Sequence, residues 1–275
     1  MSIRQLLVHL DTSPACEARL GLACELARRF DAHLTGLAPT GWVQMPVNVG
    51  MALGSPNYIQ LSMEHLRRRA EEAAEHFRLR AQGLRSIEAV IEEQESASAV
   101  VTHGRCHDLI VVGQHHPDDL LTTGGDTLAE QALMRSGRPV LVVPYIGASA
   151  TCGQRILLAW KPTRESARAV ADAMPLLQAA AQVDVVVFEE TDAPVRAAQL
   201  DALGAWLSRH GVRHTAARQP QVIDVGNALL SYAADHGSDL IVMGGYGHSR
   251  LREWVLGGVT RSLLGQMTVP VLMSH

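Results

Sequence analysis

At 275 residues, with 47% hydrophobic and 19% charged residues and a net charge of -4, the chain has the composition of a soluble globular protein of one large or two ordinary domains. No apolar run approaches the roughly 18–20 residues of a membrane span, the start shows no signal-peptide pattern, and a mildly acidic chain without a basic face argues against nucleic-acid binding. The four cysteines, Cys16, Cys24, Cys106 and Cys152, form no CxxC pair, which fits reduced thiols and a cytoplasmic location.

In chain order, an apolar run at 3–10 predicts a buried strand. Helical periodicity over 14–30 places Leu20, Ala23, Ala27 and Phe30 on one stripe. A strand at 33–38 follows, then a stretch from Gly41 to Gln60 that lacks periodicity and reads as a loop or lid. A long helix at 61–84 turns Leu66, Ala70, Ala73, Phe77 and Leu84 inward. Its Arg67, Arg68, Glu71 and Glu72 stand at i, i+4 spacing, as on a paired, solvated face. A strand at 86–92, a helix at 95–104 and strands at 108–113 and 139–143 complete the half. After a small, polar linker from Gly147 to Gly153, the order repeats at 155–160, 164–180, 183–188, 194–210, 213–217, 225–236, 239–244 and 269–274.

The repetition is visible in the residues. Asp108-Leu109-Ile110-Val111-Val112-Gly113 matches Asp239-Leu240-Ile241-Val242-Met243-Gly244, and Pro139 follows Gly113 by 26 positions just as Pro270 follows Gly244. Leu6 to Ser13 lines up more weakly with Ile156 to Thr163. A repeat this long means duplicated domains rather than a solenoid. Strands that are apolar throughout, alternating with helices, imply parallel sheets covered on both faces. The expected fold class is α/β: two doubly wound, five-stranded, Rossmann-like domains in tandem, at 1–146 and 154–275.

In such sheets ligands bind beyond the carboxyl ends of the strands, where strand order reverses. In the second half that place holds Gly244-Gly245-Tyr246-Gly247-His248-Ser249-Arg250, followed by Gly257-Gly258-Val259-Thr260 opening a helix. Glycines admit a phosphate close to the backbone, and a helix start offers unpaired N–H groups and a favourable dipole. His248 and Arg250 read equally as phosphate contacts or as surface residues.

Gly244-x2-Gly247-x9-Gly257 followed by a small residue resembles the nucleotide-binding signature of the universal stress proteins, and the chain as a whole resembles a tandem pair of such domains. For ATP-binding members the resemblance implies a glycine loop around the phosphates, a first-strand tip on the ribose and a second-strand end on adenine. Carried onto this sequence, it implies a phosphate site of Gly244, Gly247, Gly257, Gly258 and Val259, with Thr260 offering a hydroxyl. The implied ribose and adenine contacts are Ala159, Trp160, Lys161 and the region of Phe188, and the implied ligand is ATP, with or without Mg2+, or a related adenine nucleotide. The implied role is a binding switch with a protein partner, hydrolysis being slow and incidental, and no catalytic residue or resident metal is assigned. The resemblance also implies a pseudo-twofold pair meeting through the last strands, 139–143 and 269–274, with a further homodimer left open.

Two departures bear on that site. Gly258 stands where the family has Ser or Thr, and Lys161 where it has an aspartate that accepts from ribose hydroxyls. An ammonium cannot accept a hydrogen bond but can neutralise a phosphate. Lys161 is the only lysine in the chain, and a solvated loop-tip lysine is the plainer reading. The first half keeps the acidic residue as Asp11, yet its loop reads Gly113-Gln114-His115-His116-Pro117-Asp118-Asp119. His116 replaces the second glycine, only 7 residues separate it from Gly124, and Asp118, Asp119 and Asp126 would repel a polyphosphate. That site reads as lost, with Asp11 a cap or turn residue and Ser13 an alternative cap.

Other groups weigh less. His103, Cys106, His107, His115 and His116 cluster around one strand, but Gly104 interrupts the helix that a metal-binding i, i+4 pair needs, and surface histidines are the better reading. Cys16 and Cys24 read as packing residues, and Trp160, Trp206 and Trp254 are too scattered for a base-stacking platform. No GxxxxGK[ST], GxSxG or HExxH is present, so P-loop, α/β-hydrolase and zincin readings lack their residues. The alternative to a nucleotide switch is an interaction or scaffold protein of the same fold without a nucleotide site, with another small ligand left open.

Overall fold

The computed structural model describes residues 2–42, 56–116, 127–147, 152–189, 194–220, 222–246 and 258–275. The first half runs β1 (Gln5–His9), α1 (Ala15–Phe30), β2 (His33–Pro39), α2 (Pro56–Arg80), β3 (Ile87–Glu92), α3 (Ser96–Gly104), β4 (Leu109–Gly113), α4 (Leu128–Arg135) and β5 (Val140–Val143). The second runs β6 (Arg155–Ala159), α5 (Arg164–Asp172), α6 (Met174–Ala179), β7 (Gln182–Glu189), α7 (Pro194–Arg209), β8 (His214–Pro220), α8 (Val225–Asp235), β9 (Leu240–Gly244), α9 (Gly258–Gln266) and β10 (Val271–Ser274).

All ten strands form one sheet in the order β3-β2-β1-β4-β5-β10-β9-β6-β7-β8. Within each half every pairing is parallel, and the halves join where β5 and β10 pair antiparallel. The expected contact of the last strands is therefore present, and it merges two five-stranded sheets into one rather than leaving the halves' sites on separate sheets. Alternate strand residues face opposite cores. Leu6 and Val8 join a cluster with Leu20, Leu26 and Phe77, and Leu7 joins Val100, Ala132 and Leu263. Helices α1, α2, α5, α6 and α7 thus cover one face and α3, α4, α8 and α9 the other.

Three expectations about elements need correction. α2 begins at Pro56 and ends at Arg80, so 56–60 is helix rather than loop and Leu84 lies beyond it; residues 43–55 of the expected lid fall outside the described residues. The single helix expected at 164–180 is two, broken at Ala173, with Pro175 in the first turn of α6, where its missing N–H costs no helical bond. α4, unassigned from sequence, is an 8-residue helix closed by a capping box in which Thr127 and Glu130 bond each other's backbone N–H. The Arg67–Glu71 and Arg68–Glu72 pairs form as expected, at 3.3 and 3.8 Å.

The Asp that opens each repeated motif acts on the neighbouring strand. Asp108 accepts from the N–H groups of Arg4 and Gln5, at 2.8 and 3.0 Å. Asp239 likewise accepts from Gly153, Gln154 and Arg155. Each carboxylate satisfies donors that the first residues of β1 or β6 would otherwise leave open.

Candidate functional site

Strand order reverses between β1 and β4 in the first half and between β6 and β9 in the second, and the residues beyond these strands define two comparable corners. In the first, Arg19 reaches back from α1 and fills the corner. It is 2% exposed; its Nε donates to the His9 carbonyl at 2.7 Å and one terminal nitrogen to the Asp11 carboxylate at 2.8 Å. Any side chain on Gly113 would collide with the guanidinium, so the glycine at the tip of β4 makes room for an internal cation.

Asp11 is wholly engaged: it accepts from Arg19 and from both the N–H and the hydroxyl of Ser13. It is a turn residue, as expected, while α1 has no side-chain cap, so neither Asp11 nor Ser13 caps it. Burial alone would raise its pKa; Arg19, His9 and the Ser13 bonds outweigh that and bring it to about 2. Burial, seconded by Arg19, lowers the pKa of His9 to about 4. Beside this turn lies a cavity of about 370 Å³ whose lining includes Asp11, Glu17, Glu72 and His76. Each carboxylate there has a cationic partner, Asp11 with Arg19, Glu17 with Arg80 and Glu72 with Arg68, so the lining is close to charge-balanced.

In the second corner, the aligned position of Arg19 is Ala169, which is fully buried, and no cation reaches the strand tips from there. Ala159 pairs with Val186 of β7 and Met243 of β9, which sets the β6 tip beside Phe188 and Gly244. Trp160 packs half-buried against the core, and its N–H donates to Val186 at 2.9 Å. Lys161 is exposed. Gly244 is required by close approach: a Cβ there would lie 2.5 Å from the Ser166 nitrogen in the first turn of α5. That packing role accompanies whatever the glycine offers a ligand. Gly247, His248 and Gly257 lie outside the described residues.

The helices that follow the two loops differ at their starts. Thr127 and Glu130 occupy the N-terminus of α4 with side-chain acceptors and a negative charge. At the matching positions α9 has Gly258 and Arg261, and its first turn holds no acidic residue. A Cβ on Gly258 would meet nothing within 4 Å. Val259 is 36% exposed and Thr260 only 4%. One helix start is therefore closed to anions and the other suited to them.

The histidines divide. His107 is buried rather than superficial: its Nε2 is 3.0 Å from the Thr35 hydroxyl and its Nδ1 2.8 Å from the His103 carbonyl. His103 pairs with Glu92 at 3.0 Å, and His116 meets the Tyr145 ring edge-on. Among the described residues no three His, Cys, Asp or Glu side chains form a metal cluster, and no helix is long and apolar enough to cross a membrane. Cys16 and Cys24 are buried packing residues, and all four cysteines are free. Sequence reasoning missed Arg19; the glycine at 113, kept without a usable loop behind it, was the available signal.

Residues 153–275 match the profile of the universal stress protein family. Over nearly its whole length the chain is similar in fold to a universal stress protein from Archaeoglobus fulgidus DSM 4304, with a TM-score of 0.74 and 15% identity, over 98% of this chain and 96% of that one. It is similar also to a functionally unknown protein, PA1789, from Pseudomonas aeruginosa PAO1, with a TM-score of 0.60 and 18% identity, over 98% and 92%. At these identities the likeness is one of fold. A 45-residue segment is 42% identical to Universal stress protein Slr1230 of Synechocystis sp. (strain ATCC 27184 / PCC 6803 / Kazusa), spanning 16% of this chain and 16% of that protein.

Proposed function

We propose that the chain, whose second half matches the universal stress protein family profile, is a tandem member of that family, and that its second half binds ATP or a related adenine nucleotide and acts as a binding switch toward a protein partner. The observation that carries this reading is the contrast between helix starts: α9 opens on Gly258 with Arg261 in its first turn, where α4 is sealed by its own capping box. A phosphate at α9 gains backbone donors and the helix dipole. The first half, its corner filled by Arg19, is structural in this reading. Domain boundaries at 1–146 and 154–275 and a role for Gly247, His248 and Gly257 belong to the same proposal, with hydrolysis slow and incidental.

Lys161 favours a second reading. A cation in place of a ribose acceptor fits a scaffold without a nucleotide, or a ligand bound through phosphate more than through sugar. Calorimetric titration of ATP with Mg2+ into the wild type and Gly247→Asp separates the two. One site per chain, lost in the variant, is expected; absence of heat at millimolar nucleotide, with folded and nucleotide-free protein, would leave the scaffold.

A further inference from the structure

The register of the central strand pair locates the axis that relates the halves. Leu141 of β5 lies opposite Leu272 of β10, Val142 opposite Val271 and Val140 opposite Met273. Asp108 and Asp239, Gly113 and Gly244, and Pro139 and Pro270 are all 131 positions apart. On that spacing Leu141 and Leu272 are counterparts facing each other, so the pseudo-twofold axis passes between them. In a pair of identical subunits, residues beside such an axis face copies of themselves. Here the counterparts differ, and they differ in matching ways.

Gln114 and Gly245 are one such pair of counterparts. Gln114 fills its own side: its Nε2 donates to the Leu264 carbonyl at 2.8 Å and its Oε1 accepts from the Tyr145 N–H at 3.1 Å. On the other side Gly245 leaves a gap that Leu133, the counterpart of Leu264, occupies; a Cβ on Gly245 would lie 2.6 Å from Leu133 Cδ2. Glu130 and Arg261 are also counterparts, of opposite charge and 3.5 Å apart. The Glu130 carboxylate is buried and accepts from the Tyr246 hydroxyl at 2.6 Å, where the counterpart of Tyr246 is His115.

We infer that the β5 face of the first half is built to accept the second half and to reject a copy of itself. Pairing two first halves would drive Leu133 into Gln114, where Gly245 now leaves room. It would also set one buried Glu130 carboxylate against another and deprive both of Tyr246 and Arg261. Like charges placed this way oppose association, and a packed core has no space for the extra side chain. The partner that fits this surface is thus the other repeat, whatever ligand either half binds.

The full-length chain can be made to report on like-with-like packing. Gly245→Gln gives the second half the first half's side chain at this position, and its melting temperature is expected to fall by roughly 5 °C or more. Leu133→Ala, which removes the side chain the new Gln would strike, is expected to lower the melting temperature less in the Gly245→Gln chain than in the wild type. A Gly245→Gln chain that melts with the wild type would overturn the inference. So would an equal effect of Leu133→Ala in the two backgrounds, because the glycine would then serve its own backbone rather than a match between the halves.

Discussion

Arg19 and His9 lie side by side at the tip of β1, and both are costly to bury. The guanidinium is offset by the His9 carbonyl and the Asp11 carboxylate. Removing one partner of such a pair leaves the other's charge uncompensated, so Arg19→Ala is expected to cost about 3 kcal/mol in denaturant unfolding. His9 takes the other course and stays neutral, its pKa lowered to about 4 from 6.5 by burial. The unfolded chain therefore binds more protons between those values, and the stability tied to His9 is present above pH 6.5 and lost as pH falls toward 4, amounting to roughly 3 kcal/mol. Comparing urea unfolding of the wild type and His9→Gln at pH 7 and pH 5 should show the flatter dependence in the variant. Of this corner only Asp11 as a turn residue was legible in the sequence. Arg19 is one polar residue among the helical positions of α1, and nothing local says that it reaches past Asp11 to the end of a strand some ninety residues on. The same holds for Asp108, visible as a repeat anchor, whose partners Arg4 and Gln5 are distant in sequence.

At the scale of elements, the central strands were legible because buried parallel strands advertise themselves as unbroken apolar runs, whereas the largely exposed edge strands β3 and β8 were placed by their position in the repeating order. Breaks within helices were less legible. Ala173 carries no local signal, and Pro175 is as compatible with a first turn as with an end. The paired helix starts make a testable trade. Thr127→Ala is expected to cost about 1 kcal/mol by opening the α4 capping box. Gly258→Asp should act in the opposite sense on α9, since a Cβ there meets none of the described residues and an acidic residue in the first turn suits a helix start. It is expected to raise the melting temperature of the nucleotide-free protein and to weaken the proposed ATP binding, both readable by thermal melts with and without ATP.

For the whole molecule, the joining of the last strands was anticipated, but the side to which each complementary feature falls was not. Gln114, Glu130, Gly245 and Arg261 have meaning only once the axis is located, and the axis depends on a strand register that no single half specifies. The covalent pair also differs thermodynamically from two separate subunits. Its halves meet at an effective concentration fixed by the chain, so its melting temperature is expected to stay constant on hundredfold dilution, as scanning fluorimetry or circular dichroism would show.

Val271, Leu272 and Met273 are at most 1% exposed, and β5 supplies one of the two flanks that cover β10. A fragment beginning near residue 153 would carry that strand as a bare edge, apolar and uncharged, with a row of ladder groups seeking another chain. The first half therefore covers an edge of its neighbour that would otherwise be open, which asks for a well-made β5 and makes no demand on the groups at the tip of β1.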